Sequence, residues 1–158
     1  MGLISIERAF ELAEKLRGEG KKIVLANGVF DLLHRGHILY LQEAKALGDV
    51  LFVAVNSDLS TRKLKGEGRP ILPQEERAFI VASLSPVDYV FVFEEEDVRE
   101  IIRRMRPHFH AKGGDYTPET VPEREVAQQV GTITVITGGA KISSTTDIIG
   151  KILERFCR

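Results

Sequence analysis

Two histidines three residues apart, His34 and His37, stand around Gly36 in the run Asn27-Gly-Val-Phe-Asp-Leu-Leu-His-Arg-Gly-His. Paired imidazoles at this spacing suit either metal ligation or the binding of a phosphate. Zinc is poorly served, because a structural site takes four nitrogen or sulfur ligands and the sole cysteine, Cys157, is the penultimate residue. His108 and His110 alternate as residues on one face of a strand do. A phosphate is better served. The short β-branched stretch 22–26 precedes the motif, and Ile38, Leu41, Ala44 and Leu47 follow at helical spacing, so the histidines sit on a strand-to-helix turn. A helix starting near Gly36 turns unpaired N–H groups and the positive end of its dipole toward the strand edge, where an anion is stabilised.

Three further polar clusters follow apolar runs. One spans 56–69 and carries Asn56, Asp58, Lys65 and Arg69; another is Lys112-Gly113-Gly114-Asp115-Tyr116; the last is Gly138-Gly139-Ala140-Lys141 leading to Ser143-Ser144-Thr145-Thr146. Singly, a Ser-Thr run is an ordinary helix cap and Gly-Gly-Asp an ordinary turn. Together they follow strands of one sense, whose carboxyl ends share an edge where open α/β sheets bind ligands. The hydroxyls of the last cluster, before a closing helix, form a second anion cradle, so two helix starts can grip one triphosphate. No Gly-x-x-x-x-Gly-Lys-Ser/Thr loop is present, and Gly28 and Gly36 are too far apart for a dinucleotide fingerprint.

The elements that must position these groups alternate. An amphipathic helix over 5–17 is stopped by Gly18 and Gly20. Strands are expected over 22–26, 50–55, 87–93, 109–112 and 132–137, and helices over 36–47, 74–84, 98–105, 123–130 and 145–156. Residues 57–73, polar and rich in glycine, proline and lysine, read as a loop. The pattern predicts an α/β fold: a Rossmann-like parallel sheet of five strands with helices on both faces, in one domain over 1–158 with an N-terminal helix (1–20) and a catalytic core (21–158). A chain of 158 residues, 43% hydrophobic, supports one such core. With 22 basic against 23 acidic residues, no broad field draws it to nucleic acid or to a membrane surface. No signal peptide or membrane span is read, and the single cysteine fits a reducing compartment, so the cytoplasm is expected.

The stretch Gly28-Val29-Phe30-Asp31 through His34-Arg35-Gly36-His37, joined to Ser144-Thr145-Thr146, resembles the nucleotidyltransferase superfamily of glycerol-3-phosphate cytidylyltransferase and phosphopantetheine adenylyltransferase. Val55-Asn56-Ser57-Asp58, Leu64-Lys65-Gly66 with Arg69-Pro70, and Lys112 to Tyr116 are similar to the D-glycero-β-D-manno-heptose 1-phosphate adenylyltransferases, and the similarity runs over 21–152. The resemblance implies transfer of AMP from ATP to the phosphate of a heptose 1-phosphate, giving ADP-heptose and pyrophosphate by direct displacement. It implies that His34 and His37 stabilise charge on the triphosphate, that Lys65 neutralises the triphosphate or acceptor phosphate, and that Ser144, Thr145 and Thr146 hold phosphate oxygens with Arg77 nearby. Asp31, Lys112, Gly114 and Asp115 would position metal, acceptor or nucleotide. Mg2+ would bridge the phosphates, a homodimer is the family habit, and a separate kinase would supply the sugar phosphate. Residues 138–142 lack the Arg-Thr-Glu-Gly run typical of cytidylyltransferases. Two other readings stay open: a cytidylyltransferase acting on glycerol 3-phosphate or another polyol phosphate, and a non-catalytic ATP-binding module.

Overall fold

The continuous apolar run Leu51 to Val55 has no polar face to offer solvent, so it belongs at the centre of a sheet covered on both sides. The computed structural model, which describes residues 2–114, 116–117, 119–139 and 144–157, places it there. Five parallel strands, β1 (Ile23–Gly28), β2 (Val50–Asn56), β3 (Tyr89–Phe93), β4 (Phe109–Lys112) and β5 (Ile133–Ile136), lie in the order β3-β2-β1-β4-β5. Alternate residues feed two cores. Val24, Ala26, Leu51, Val53 and Val55 pack under α2 (Arg35–Ala46) and, beyond α3 (Asp58–Lys65), under α4 (Gln74–Ala82). Ile23, Leu25, Phe52, Ala54 and Phe91 pack under α1 (Ile6–Gly18), α5 (Arg99–Met105) and α6 (Arg124–Val130). The closing helix α7 spans Thr145–Phe156. Among the described residues no helix is long and apolar enough to cross a membrane.

One departure from the sequence reading bears on the site. Residues 57–73 are not one loop. Ser57 caps α3, its Oγ accepting from the Ser60 amide at 3.1 Å, and Asp58 stands in the first turn where a negative charge meets the helix dipole. The N-terminal amphipathic helix is present as expected, and Ala9 and Ala13 of α1 are fully buried in the core shared with Ile101, Ile102 and Met105.

The chain leaves β1 to one side to form β2 and β3, then crosses to the other side for β4. The switch therefore falls between β1 and β4. Their ladder runs only from Val24↔Phe109 to Ala26↔Ala111, after which the strands part. Tyr40 of α2 bridges the fork: its hydroxyl donates to the Ala111 carbonyl at 2.6 Å and accepts from the Asn27 amide at 3.2 Å. Backbone groups that the lost ladder would leave unpaired are satisfied by one buried phenol.

Candidate active site

A two-lobed cleft opens over that fork. The first lobe, about 260 Å3, is walled by His34, Gly36 and His37 at the start of α2, by Ser144, Thr145 and Thr146 at the start of α7, and by Lys65, Arg69, Gly114 and Gly138. The second, about 490 Å3, is walled by Asn27, Gly28, Asn56, Lys65, Lys112 and Tyr116 with the carboxylates of Glu96, Asp97 and Glu123. Val29, Phe30, His37, Tyr40, Lys65 and Gly113 line both, so the lobes are continuous.

The histidines are locked by the helix they begin. His34 is the N-cap of α2, in extended backbone, and its Nδ1 accepts from the Gly36 amide at 3.1 Å. His37 Nδ1 accepts from the His34 amide at 3.3 Å, completing a reciprocal capping box built from imidazoles. The rings stack with centroids 3.9 Å apart. Because each Nδ1 accepts, each neutral ring carries its proton on Nε2. Burial, and then the neighbouring His34, pull the His37 pKa down to about 4, so this ring is a neutral donor at neutral pH.

Phe30 fixes the approach to this turn. It holds φ +52°, a left-handed conformation uncommon for a residue with a side chain, and its ring lies 5.4 Å from that of His37. Gly28 is required beneath it, since a Cβ there would meet the Phe30 ring at 3.0 Å. Gly138, on the opposite wall, holds φ +86°, and a Cβ there would meet the Tyr40 backbone at 3.3 Å.

Several expected ligands are already engaged. Asp31, whose side chain is 0% exposed, accepts from Arg69 Nε at 2.9 Å and from the amides of Ile71 and Leu72 at 2.8 and 2.9 Å. It clamps the loop after α3 onto the motif. Arg77 is not among the residues that wall either lobe. It is fully buried, and its guanidinium donates to the carbonyls of Leu72, Val29 and Asn56 at 2.7 to 2.8 Å and to Asp58 Oδ1 at 2.8 Å. A rigid planar fork suits a strut tying α4 to the ends of β1 and β2. Asp58, as its partner, is likewise outside the cleft walls. Thr145 Oγ1 donates to the Leu32 carbonyl at 3.2 Å, and Ser144 Oγ accepts from the Asp147 amide at 3.0 Å. The Thr145 hydroxyl seats α7 beside the motif, and the Ser144 hydroxyl caps the helix. Asp115, and residues 140–143 with Lys141 and Ser143, lie outside the described residues.

Lys112 sits 3.8 Å from Glu123 Oε1 and 4.6 Å above the Tyr116 ring, so its ammonium is held at the floor of the second lobe. Asn27, Tyr40, His110 and Glu123 escape sequence reasoning. They stand in ordinary apolar or polar surroundings, and only the fork between β1 and β4 brings them together. Among the described residues no three metal-ligating side chains stand together.

Residues 25–150 match the family model described as cytidylyltransferase-like. The chain is 49% identical over 145 residues to "Bifunctional protein HldE" of Pelobacter propionicus, covering 92% of this chain and 30% of that protein. It is 45% identical over 155 residues to the protein of the same name from Geobacter sulfurreducens, covering 98% of this chain and 30% of that protein. The chain thus spans about 30% of the length of these curated relatives. Among solved structures, the lipopolysaccharide core biosynthesis protein from Thermoplasma volcanium is 34% identical with TM-score 0.61, over 74% of this chain and 94% of that one. A pantoate-beta-alanine ligase from Francisella tularensis, solved with beta-gamma ATP and beta-alanine, shares the fold at TM-score 0.63 and 17% identity, over 100% of this chain and 80% of that one.

Proposed function

The chain belongs to the cytidylyltransferase-like family, and on that premise we propose that it is a nucleotidyltransferase carrying AMP from ATP to a sugar 1-phosphate of the heptose type. One observation carries the reading. Two imidazoles, fixed as Nε2–H donors by the cap of α2, face the start of α7 across a lobe that opens directly into a second, polar one. The first lobe takes the triphosphate and the second the acceptor, with Lys65 lining both where the two anions meet.

The acceptor phosphate is already a nucleophile at neutral pH. It attacks the α-phosphorus, the bond to pyrophosphate breaks, and no proton need be removed. The protein's task is positioning and charge stabilisation. Donors preorganised by a helix cap cost no reorganisation as charge shifts onto the leaving pyrophosphate. The described residues offer no dedicated cage for Mg2+, since Asp31 is consumed by Arg69 and two amides. An ion that accompanies the triphosphate would keep mostly water and phosphate ligands. On the same reading a sugar kinase supplies the acceptor, and the enzyme is a cytoplasmic homodimer.

Pyrophosphate release in a matrix of ATP and CTP against heptose 1-phosphate and glycerol 3-phosphate tests this. ATP with the heptose is expected to lead CTP by at least about tenfold in kcat/KM, equivalent to roughly 1.4 kcal/mol of transition-state discrimination. Faster turnover of CTP with glycerol 3-phosphate would make the chain a cytidylyltransferase. Binding of ATP with no release for any acceptor would make it a binding module.

A further inference from the structure

His110 is fully buried in β4, an interior strand beneath the fork, and its Nε2 lies 2.8 Å from Oδ1 of Asn27. Its Nδ1 is buried with no hydrogen-bond partner among the described residues. Burial, and then the Lys112 charge, push its pKa down to about 3, so the ring is neutral at neutral pH. A neutral imidazole has one N–H to place. On Nδ1 it would be a buried donor with nothing to receive it. On Nε2 it reaches Asn27 Oδ1, and only a bare lone pair goes unpaired, the cheaper of the two faults. The tautomer fixes the amide in turn, because Asn27 must present its oxygen to the ring.

The Asn27 backbone is pinned as well, its amide N–H given to the Tyr40 hydroxyl. What remains is the side-chain NH2. Asn27 lines the second lobe, and no described residue accepts from that nitrogen. The same lobe is lined by the carboxylates of Glu96, Asp97 and Glu123, of which Asp97 already accepts from Arg99 and Glu123 from the Val98 amide. A hydroxyl is the ligand group that satisfies both neighbours, since it accepts from the amide and donates to a carboxylate.

We infer that Asn27 is a specificity-determining donor to a hydroxyl of a polyhydroxylated acceptor in the second lobe, and that His110 is the positioning residue that fixes its polarity. The inference rests on the reading that this lobe takes the acceptor, and it names the chemistry by which the lobe recognises it. A carboxamide held the other way round, or a carboxylate in its place, would face the acceptor hydroxyl with a second acceptor, and its single proton can serve only one.

The test uses Asn27→Asp, His110→Leu and His110→Gln in the intact chain, with acceptor KM, ATP KM and kcat measured separately and calorimetric binding of the sugar phosphate beside them. Asn27→Asp is expected to raise acceptor KM about tenfold or more, with ATP KM held within about twofold. His110→Leu frees the amide and raises acceptor KM about threefold to tenfold, whereas His110→Gln, which keeps an N–H at the same reach, restores most of it. Nitrogen NMR of the unmodified protein at neutral pH is expected to show His110 protonated on Nε2 alone, a readout independent of how the variants fold. An Nδ1–H tautomer, an unchanged acceptor KM in Asn27→Asp, or failure of His110→Gln to outperform a folded His110→Leu would overturn the inference. If the unmodified chain released no pyrophosphate but bound sugar phosphate in a manner that Asn27→Asp abolished, only the proposed reaction would fall. Neither turnover nor sugar-phosphate binding would overturn both.

Discussion

Asp31 is the residue at which the motif resemblance and the geometry part company, and replacing it separates them. Its carboxylate, 0% exposed, accepts from Arg69 Nε and from two successive backbone amides, and Arg69 is itself only 13% exposed. In Asp31→Ala these donors lose one shared partner. Hydrogen bonds to charged groups are worth about 1.5–3 kcal/mol each, and stripping one partner from a buried ion pair costs about 3–5 kcal/mol. The loop over 69–72 is partly exposed, with Ile71 at 51%, so water can reclaim some of the loss once the loop lifts. The balance is about 3 kcal/mol. With a urea slope of about 2 kcal/mol/M, that is a midpoint lower by about 1.5 M. Asp31→Asn keeps one acceptor oxygen but sets an amide against donors, and a drop of about 1 M is expected. Urea unfolding followed by circular dichroism, with ATP binding measured on the same samples, decides the matter. If both variants held their midpoint within about 0.3 M while ATP binding vanished, Asp31 would be a ligand to nucleotide or metal and the clamp would be wrong.

His37→Ala is expected to lower turnover about 10²–10³-fold with the fold intact, the scale of losing one preorganised donor; near-normal turnover would remove it from the site. His34→Ala combines such a loss with that of a helix cap worth about 1 kcal/mol, so His34→Asn, which can still cap α2, is expected to recover stability without recovering rate. Acid should weaken the fold through the buried imidazoles. Both His37 and His110 are held below the unfolded value of 6.5, at about 4 and about 3, so the folded state refuses protons that the unfolded chain accepts. Their contribution is complete above pH 6.5 and is lost as the pH falls through about 4 and then about 3, no more than about 3 kcal/mol of it from His37. The urea midpoint should therefore be lower at about pH 4.5 than at about pH 7, and His37→Gln should narrow the gap; an equal gap would mean that His37 is not shielded.

The sheet was legible because parallel strands buried on both faces are written as unbroken apolar runs, as in Leu51 to Val55, and the crossover helices as amphipathic repeats between them. α3 was not legible. Its residues Asp58–Lys65 have little apolar periodicity, and it is started by a serine cap and packed against β2 on Ser60 and Thr61. The histidine turn and the Ser-Thr start of α7 could be read because helix starts carry local signals. The roles given to Asp31 and Arg77 came from the family resemblance, while the partners they hold are mostly backbone groups that a sequence does not display. Asn27 and His110 lie 83 residues apart, and nothing short of strand order brings them together.

Tyr40 gives α2 the role of a gauge. His37 lies three residues earlier on the same helix, so imidazole and phenol share a face about one turn apart, roughly 4.5 Å along the axis. The cleft-lining imidazole and the staple across the fork of the sheet are thus parts of one rigid rod. The second lobe shares His37 and Tyr40 with that rod, but its far wall, Leu64 and Lys65 of α3 with Glu96, Asp97 and Pro122, lies off it. On the proposed reading, substitutions in that wall alter how the acceptor is held while the distance from His37 to the sheet stays fixed by the helix.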